Sequence, residues 1–166
     1  MSRAGWVTVF LFLHVLGAIA ALGPTLTYGL WASRAAKAGS QFRTFVIDST
    51  AWVDNHLATP AFVLQAVTGI TLILLQERDF FNTAWLLMGV GLYLVTFLLA
   101  VVALAPATRR QRAASVALDA NPQNTEARSA LERASASTRT FGIVLGVLTL
   151  GIVYFMVVKP ELWSAG

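Results

Sequence analysis

The sequence predicts an all-α membrane protein: an antiparallel bundle of four transmembrane helices, with a cytoplasmic helical hairpin between helices three and four. Three observations predict it. Four apolar runs, about 6–31, 52–76, 82–105 and 140–158, each come to roughly the 20 residues that a helix needs to cross ~30 Å of hydrocarbon. The chain is 57% hydrophobic and 12% charged, and the runs fill more than half of its 166 residues, so residues 1–166 read as one membrane domain with the lipid bilayer as its partner. Nine of the twelve Lys and Arg residues also crowd into two of the segments between runs, which is how membrane topology distributes charge.

That distribution accounts for the net charge of +4 without nucleic acid, and no nucleic-acid partner is expected. Cysteine is absent, which removes disulfides, thiolate chemistry and Cys-based metal sites. The chain has no Ser-His-Asp arrangement, Gly-rich phosphate loop or HExxH spacing, and no carboxylate deep in a span. An ordinary hydrolase or nucleotide enzyme is therefore not expected.

Arg3 followed by an apolar run, with Ala18-Ile19-Ala20 inside it, imitates a signal peptide. The run continues to Trp31, however, about twice the usual length of a signal's apolar region, and reads as a retained first span. Trp6 and Trp31 bracket it, and Trp163 follows span four, as interfacial aromatic anchors. Arg34, Lys37 and Arg43 follow span one, and Arg109, Arg110, Arg112, Arg128, Arg133 and Arg139 follow span three; the opposite side receives only Arg3, Arg78 and Lys159. The bias places both long loops in the cytoplasm and both termini outside a bacterial inner membrane. Gln76-Glu77-Arg78-Asp79 reads as a tight outer turn joining spans two and three as a hairpin. Span three is expected to continue past Pro106 to about Leu118, and Asn121-Pro122 to cap and open an extension of helix four. A match of Thr59–Leu64 with Thr140–Leu145 is too apolar to count as a repeat.

Helical spacing divides the spans into faces. On span one, Phe10, His14, Gly17, Ala18, Ala21, Thr25 and Tyr28 share one face, and Val9, Phe12, Leu16, Ile19, Leu26 and Leu30 cover much of the opposite one. Span three repeats the small and polar stripe as Asn82, Trp85, Gly89, Tyr93, Thr96, Ala100 and Ala103, and span four as Gly142, Gly146, Thr149, Val153 and Met156. Helices in lipid gain little from burial and pack where small residues let backbones approach, so Gly17, Ala21, Gly89, Gly142 and Gly146 are the expected packing positions.

Few residues remain for chemistry. Asp48, Asp54, Asn55 and His56 form a polar cluster near the cytoplasmic end of span two, one turn before Thr59-Pro60. It reads as a cap that positions helix two, or, more sharply, as a cation or proton entry site. His14 lies about 12 Å along the helix from Trp6, well inside the bilayer, where an imidazole is costly without a partner. Met88 and Met156 fall in the same leaflet, and His with Met can hold haem iron. His14 and Met156 are accordingly the candidate haem ligands; His56 lies too near the inner surface. The leading expectation is no cofactor, with haem possible.

Phe12-Leu13-His14-Val15-Leu16-Gly17-Ala18-Ile19, Asp54 with Thr59-Pro60, Thr68-Gly69, and Met156-Val157-Val158-Lys159-Pro160 resemble a bacterial family of predicted integral membrane proteins, domain of unknown function 2269. The resemblance runs over nearly the whole chain and implies the four-span layout but no activity. That family usually carries Gly after Thr-Pro, where this chain has Ala61. The Leu-His-apolar-Gly opening is also similar to small haem-associated and copper-resistance membrane proteins. Three function classes follow: a non-catalytic accessory or structural bundle, as a homo-oligomer or within a larger membrane complex; a b-type haem protein centred on His14; and a small transporter or channel gated by the polar cluster.

Overall fold

The structure is a computed structural model that describes residues 2–160, apart from the side chain of Ser40. Trp163, the anchor expected beyond span four, lies outside the described residues. The helices are α1 (Arg3–Ala35), α2 (Ser40–Val53), α3 (Thr59–Leu75), α4 (Ala84–Leu99), α5 (Ala105–Ala120) and α6 (Thr125–Val158), with no strand among the described residues. Two π-helical turns, Asp54–Ala58 and Ala100–Leu104, join α2 to α3 and α4 to α5 without a break. Four continuous helices result, each long and apolar enough to cross a membrane.

Both π turns have the same cause. Each is followed, one residue on, by a proline: Pro60 after Thr59 and Pro106 after Ala105. A proline inside an α-helix has no N–H to donate and its ring collides with the carbonyl four residues back. Here the residue before each proline reaches one position further, Thr59 N–H to the Asp54 carbonyl and Ala105 N–H to the Ala100 carbonyl. The widened turn makes room for the ring, so the helix passes the proline rather than ending at it. Helix two therefore passes Pro60 unbroken, and span three runs on to Ala120, close to the Leu118 expected from its sequence; helix two itself begins at Ser40, ahead of the start expected near Trp52.

The ends of the helices are set by polar residues. Asn124, not Asn121, caps α6: its side chain accepts from the Ala127 N–H at 2.9 Å. Asn121 instead ends α5 and turns the chain, accepting from Gln123 N–H through its side chain and from Asn124 N–H through its carbonyl. The expected helix start at Pro122 therefore moves to Thr125, because two Asn residues compete and only Asn124 stands three residues before a free helical N–H. At the other end of α3, Glu77 takes the left-handed conformation (φ 50°), and Arg78 N–H reaches back to the Ile73 carbonyl. This closes the helix without the usual glycine. Asp79 then accepts from the Phe81 and Asn82 amides before α4 begins.

The chain divides into two compact units. The first, Met1–Tyr28 with Thr50–Thr83, pairs most of α1 with α3 antiparallel. The face expected to look into protein does so: Gly17 and Ala21 are buried, Phe10, His14, Ala18, Thr25 and Tyr28 half-buried, while Val9, Phe12, Leu16, Ile19, Leu26 and Leu30 are all exposed. A Cβ on Gly17 would stand 3.5 Å from Gln65 and 3.6 Å from the Ala61 carbonyl, ordinary contact distances.

The second unit, Gly29–Ser49 with Ala84–Gly166, contains the hairpin of α4–α5 against α6. Its polar half has a small core of Ala114, Leu118, Ala127 and Leu131, flanked by Ala130. Thr44 of α2 hydrogen-bonds Ser115 and Asp119, and Asp48 pairs with Arg112, which fixes α2 to α5. In the apolar half, contact falls on Gly89, where a Cβ would meet the Met156 methyl at 2.5 Å, and on Gly151, where it would meet Leu92 at 3.2 Å. Gly142 and Gly146, the expected seam, meet no atom of this unit within 4 Å. The stripe that α6 turns inward here is Phe141, Leu145, Leu148, Ile152 and Met156. At about 100° per residue, Gly146 lies roughly a quarter turn away from Leu145. The bulky residues, not the Gly-xxx-Gly pair, set the rotation.

Replacement of Gly89 by Leu should drive a side chain into Met156 and cost about 1–3 kcal/mol, visible as a lower thermal-unfolding midpoint in detergent. Gly146→Leu should leave the midpoint of the monomer unchanged, and equal losses in both variants would show that the rotation of α6 is misassigned.

Candidate functional site at the His14–Thr68 contact

An imidazole in hydrocarbon needs a partner, and in the first unit His14 of α1 has one on α3. His14 Nδ1 lies 2.9 Å from Thr68 Oγ1, and Thr68 is 1% exposed. The direction of this bond follows from proton counting. A Thr hydroxyl has one proton, and that of Thr68 is directed to the Leu64 carbonyl at 2.7 Å, back along its own helix. Thr68 Oγ1 therefore accepts, His14 Nδ1 donates, and the network assigns the tautomer with its proton on Nδ1. The lone pair is left on Nε2.

Two neighbours complete the contact. Gln65, one turn before Thr68, donates from Nε2 to the His14 backbone carbonyl at 2.7 Å. Gly69 lies against the ring, where a Cβ would stand 3.2 Å from His14 Cε1. A side chain at 69 would require the imidazole to give by a few tenths of an ångström. The same antiparallel pair is tied at both ends. Arg3 donates to the Leu75 carbonyl at 2.7 Å and pairs with Glu77 at 2.7 Å, and Tyr28 OH donates to Asp54 Oδ1 at 2.9 Å.

The residues expected to form one polar cluster go to different partners. Asp48 pairs with Arg112, and Asp54 accepts from Tyr28 at the start of its π turn. His56 stacks on Trp52, with ring centroids 4.5 Å apart, and bonds the Trp52 carbonyl at 2.9 Å through Nδ1. Asn55 is exposed. Asp48, Asp54 and His56 thus each take a different partner: adjacent helical positions point about 100° apart, and a π turn shifts that phase further. Met156 is held by the packing against Gly89 and Met88 is exposed. Among the described residues no group of three or more His, Cys, Asp and Glu side chains could hold a metal ion. A shallow groove runs along α5 between Arg109, Arg112 and Ala120; it is a surface feature of the polar hairpin.

Helical spacing singles out His14 but not Thr68 or Gln65 as its partners. The available signal was a Gln and a Thr at i and i+3 in an apolar span, a spacing that puts both on one face.

Four apolar helices define this chain as a multi-pass integral membrane protein. It belongs to the family described as predicted integral membrane protein (DUF2269), whose model matches residues 8–160. No curated protein and no solved structure gives a significant match.

Thr68→Val keeps the shape and removes the acceptor, which strands the Nδ1–H. A double-mutant cycle with His14→Phe should return a coupling of about 0.5–1.7 kcal/mol, the range for hydrogen bonds between membrane helices. In nitrogen NMR the wild-type ring should show protonated Nδ1 and bare Nε2. A coupling near zero together with the opposite tautomer would remove this contact from the account.

Proposed function

We propose that this protein is a non-catalytic membrane subunit, an accessory or structural element that works through the surfaces of its helices. The observation that supports this reading is how the polar side chains in the first unit are used. His14, Gln65 and Thr68 are spent on one another and on backbone carbonyls, and Tyr28 on Asp54, so that their bonds hold α1 to α3. The spans otherwise present apolar side chains outward, among them Phe12, Ile19, Leu74, Leu98 and Val147. Lipid or other membrane-embedded helices cover such surface. Gly142 and Gly146, left open within their unit, favour a second copy of this chain or a subunit of a larger complex as the packing partner. The 9 to 3 distribution of basic residues supports an inner-membrane orientation with α5 and the start of α6 in the cytoplasm and both termini outside.

Two measurements test this. Native mass spectrometry of the purified protein should show an oligomer or co-purifying membrane subunit that Gly146→Ile dissociates; a strict monomer unaffected by the substitution contradicts the proposal. A phosphatase reporter fused at Asn121 should be silent and one fused after Gly166 active, and the reverse pattern contradicts the orientation.

A second reading, a b-type haem protein with His14 as axial ligand, is favoured by one observation. Histidines that bind metals through Nε2 generally donate Nδ1–H to a fixed acceptor, as His14 does to Thr68. Met156, the other candidate ligand, belongs to the second unit, where it packs against Gly89. Protein purified from cells supplied with haem precursor should then show a Soret band that His14→Ala abolishes. A colourless wild-type protein contradicts the reading.

A further inference from the structure

Depth along the second unit can be read from its own helices. The apolar run of α6 from Phe141 to Val158 rises about 27 Å, close to the ~30 Å of hydrocarbon, so Arg139 stands at its edge. On the other helix the apolar run from Ala84 continues through the π turn to Ala107, and Arg109 and Arg110 follow at once. The bond from Gln111 Nε2 to Ser135 Oγ at 3.2 Å fixes the register of α5 against α6. With antiparallel helices in that register, Arg109 and Arg110 stand opposite 137 and 136 respectively, within about 5 Å of the depth of Arg139. All three arginines are exposed.

The other charges of this unit leave that level uncompensated. Arg112, the next basic residue, is already paired with Asp48. Glu132 lies seven positions before Arg139, about 10 Å further from the hydrocarbon, and Asp119 is further out still and bonded to Thr44. Headgroup phosphates occupy the layer just outside the hydrocarbon, and a guanidinium matches two phosphate oxygens with parallel N–H donors.

We propose that Arg109, Arg110 and Arg139 form a belt at headgroup depth that holds the phosphates of acidic phospholipids around the junction of the spans with the polar hairpin. The belt goes beyond the accessory-subunit reading and does not depend on it, nor on which side of the membrane the hairpin occupies. Arg128 and Arg133, further along the hairpin, lie outside the layer and take no part.

The test uses the full chain in phosphatidylcholine vesicles containing about one fifth phosphatidylglycerol, with spin-labelled forms of both lipids reporting which is immobilised at the protein. At about 1 kcal/mol for each basic residue near such a surface, the wild type should prefer phosphatidylglycerol by roughly fivefold or more. Arg109→Gln, Arg110→Gln and Arg139→Gln combined should abolish the preference, the three Lys substitutions should largely keep it, and Arg128→Gln with Arg133→Gln should not alter it. An unchanged preference in the triple Gln variant, or an equal loss in the distal pair, overturns the proposal. Inorganic phosphate displacing the acidic lipid where chloride of equal ionic strength does not would mark a site for free phosphate and also overturn it. If the triple variant does not fold, the wild type decides alone: its preference must vanish near 1 M salt, where charge is felt over only ~3 Å, and persistence contradicts the belt.

Discussion

Hydrocarbon offers no hydrogen bonds, and every polar group that enters it must be satisfied by the protein. The described fold follows from that constraint. It makes each apolar run a helix, and it explains why Pro60 and Pro106 are passed by π turns rather than by broken chain, since a break would expose several backbone groups at once. His14, the one imidazole well inside a span, meets it through Thr68, whose own proton returns to the Leu64 carbonyl. Thr25 and Thr96 follow the same rule, each bonding a carbonyl of its own helix.

The two units use different means of holding helices together. In the first, polar bonds recur along the pair, Arg3 with Glu77, His14 with Thr68 and Tyr28 with Asp54, and fix its register. In the second, the apolar halves of α4 and α6 interlock by shape, with Met156 over Gly89 and Leu92 over Gly151, while Thr44, Asp48 and Gln111 make polar bonds among α2, α5 and the start of α6. Shape contacts tolerate small shifts. A bond such as His14 to Thr68 does not, and it leaves one nitrogen, Nε2, with a defined lone pair. That nitrogen links the packing of the first unit to either reading of its function.

Much of this was legible in the sequence because hydropathy is a local property and lipid a uniform solvent. The four spans, the inward face of span one and the protein-facing need of His14 all followed from composition and helical spacing. The partners of His14 did not, because spacing gives the face of a residue but not the register of one helix against another; Thr68 and Gln65 emerge only when α1 and α3 are set side by side. Gly142-xxx-Gly146 showed where backbones could approach, whereas Leu145, Ile152 and Met156 decided which face does. Helix two was read short at its start because Ser40–Val53 mixes polar and apolar residues, lies outside the apolar run and is stabilised by Thr44 and Asp48 reaching α5.

The central claim is that four helices cross hydrocarbon while α5 and the first half of α6 stand in water. Residue-resolved hydrogen–deuterium exchange of the protein in lipid nanodiscs tests it most directly. The account predicts slow exchange through the apolar parts of α1, α3, α4 and the second half of α6, with markedly faster exchange in residues 109–135, where water reaches the helices. Fast exchange throughout any one of the four apolar runs, or hairpin amides as slow as those of the spans, would contradict it.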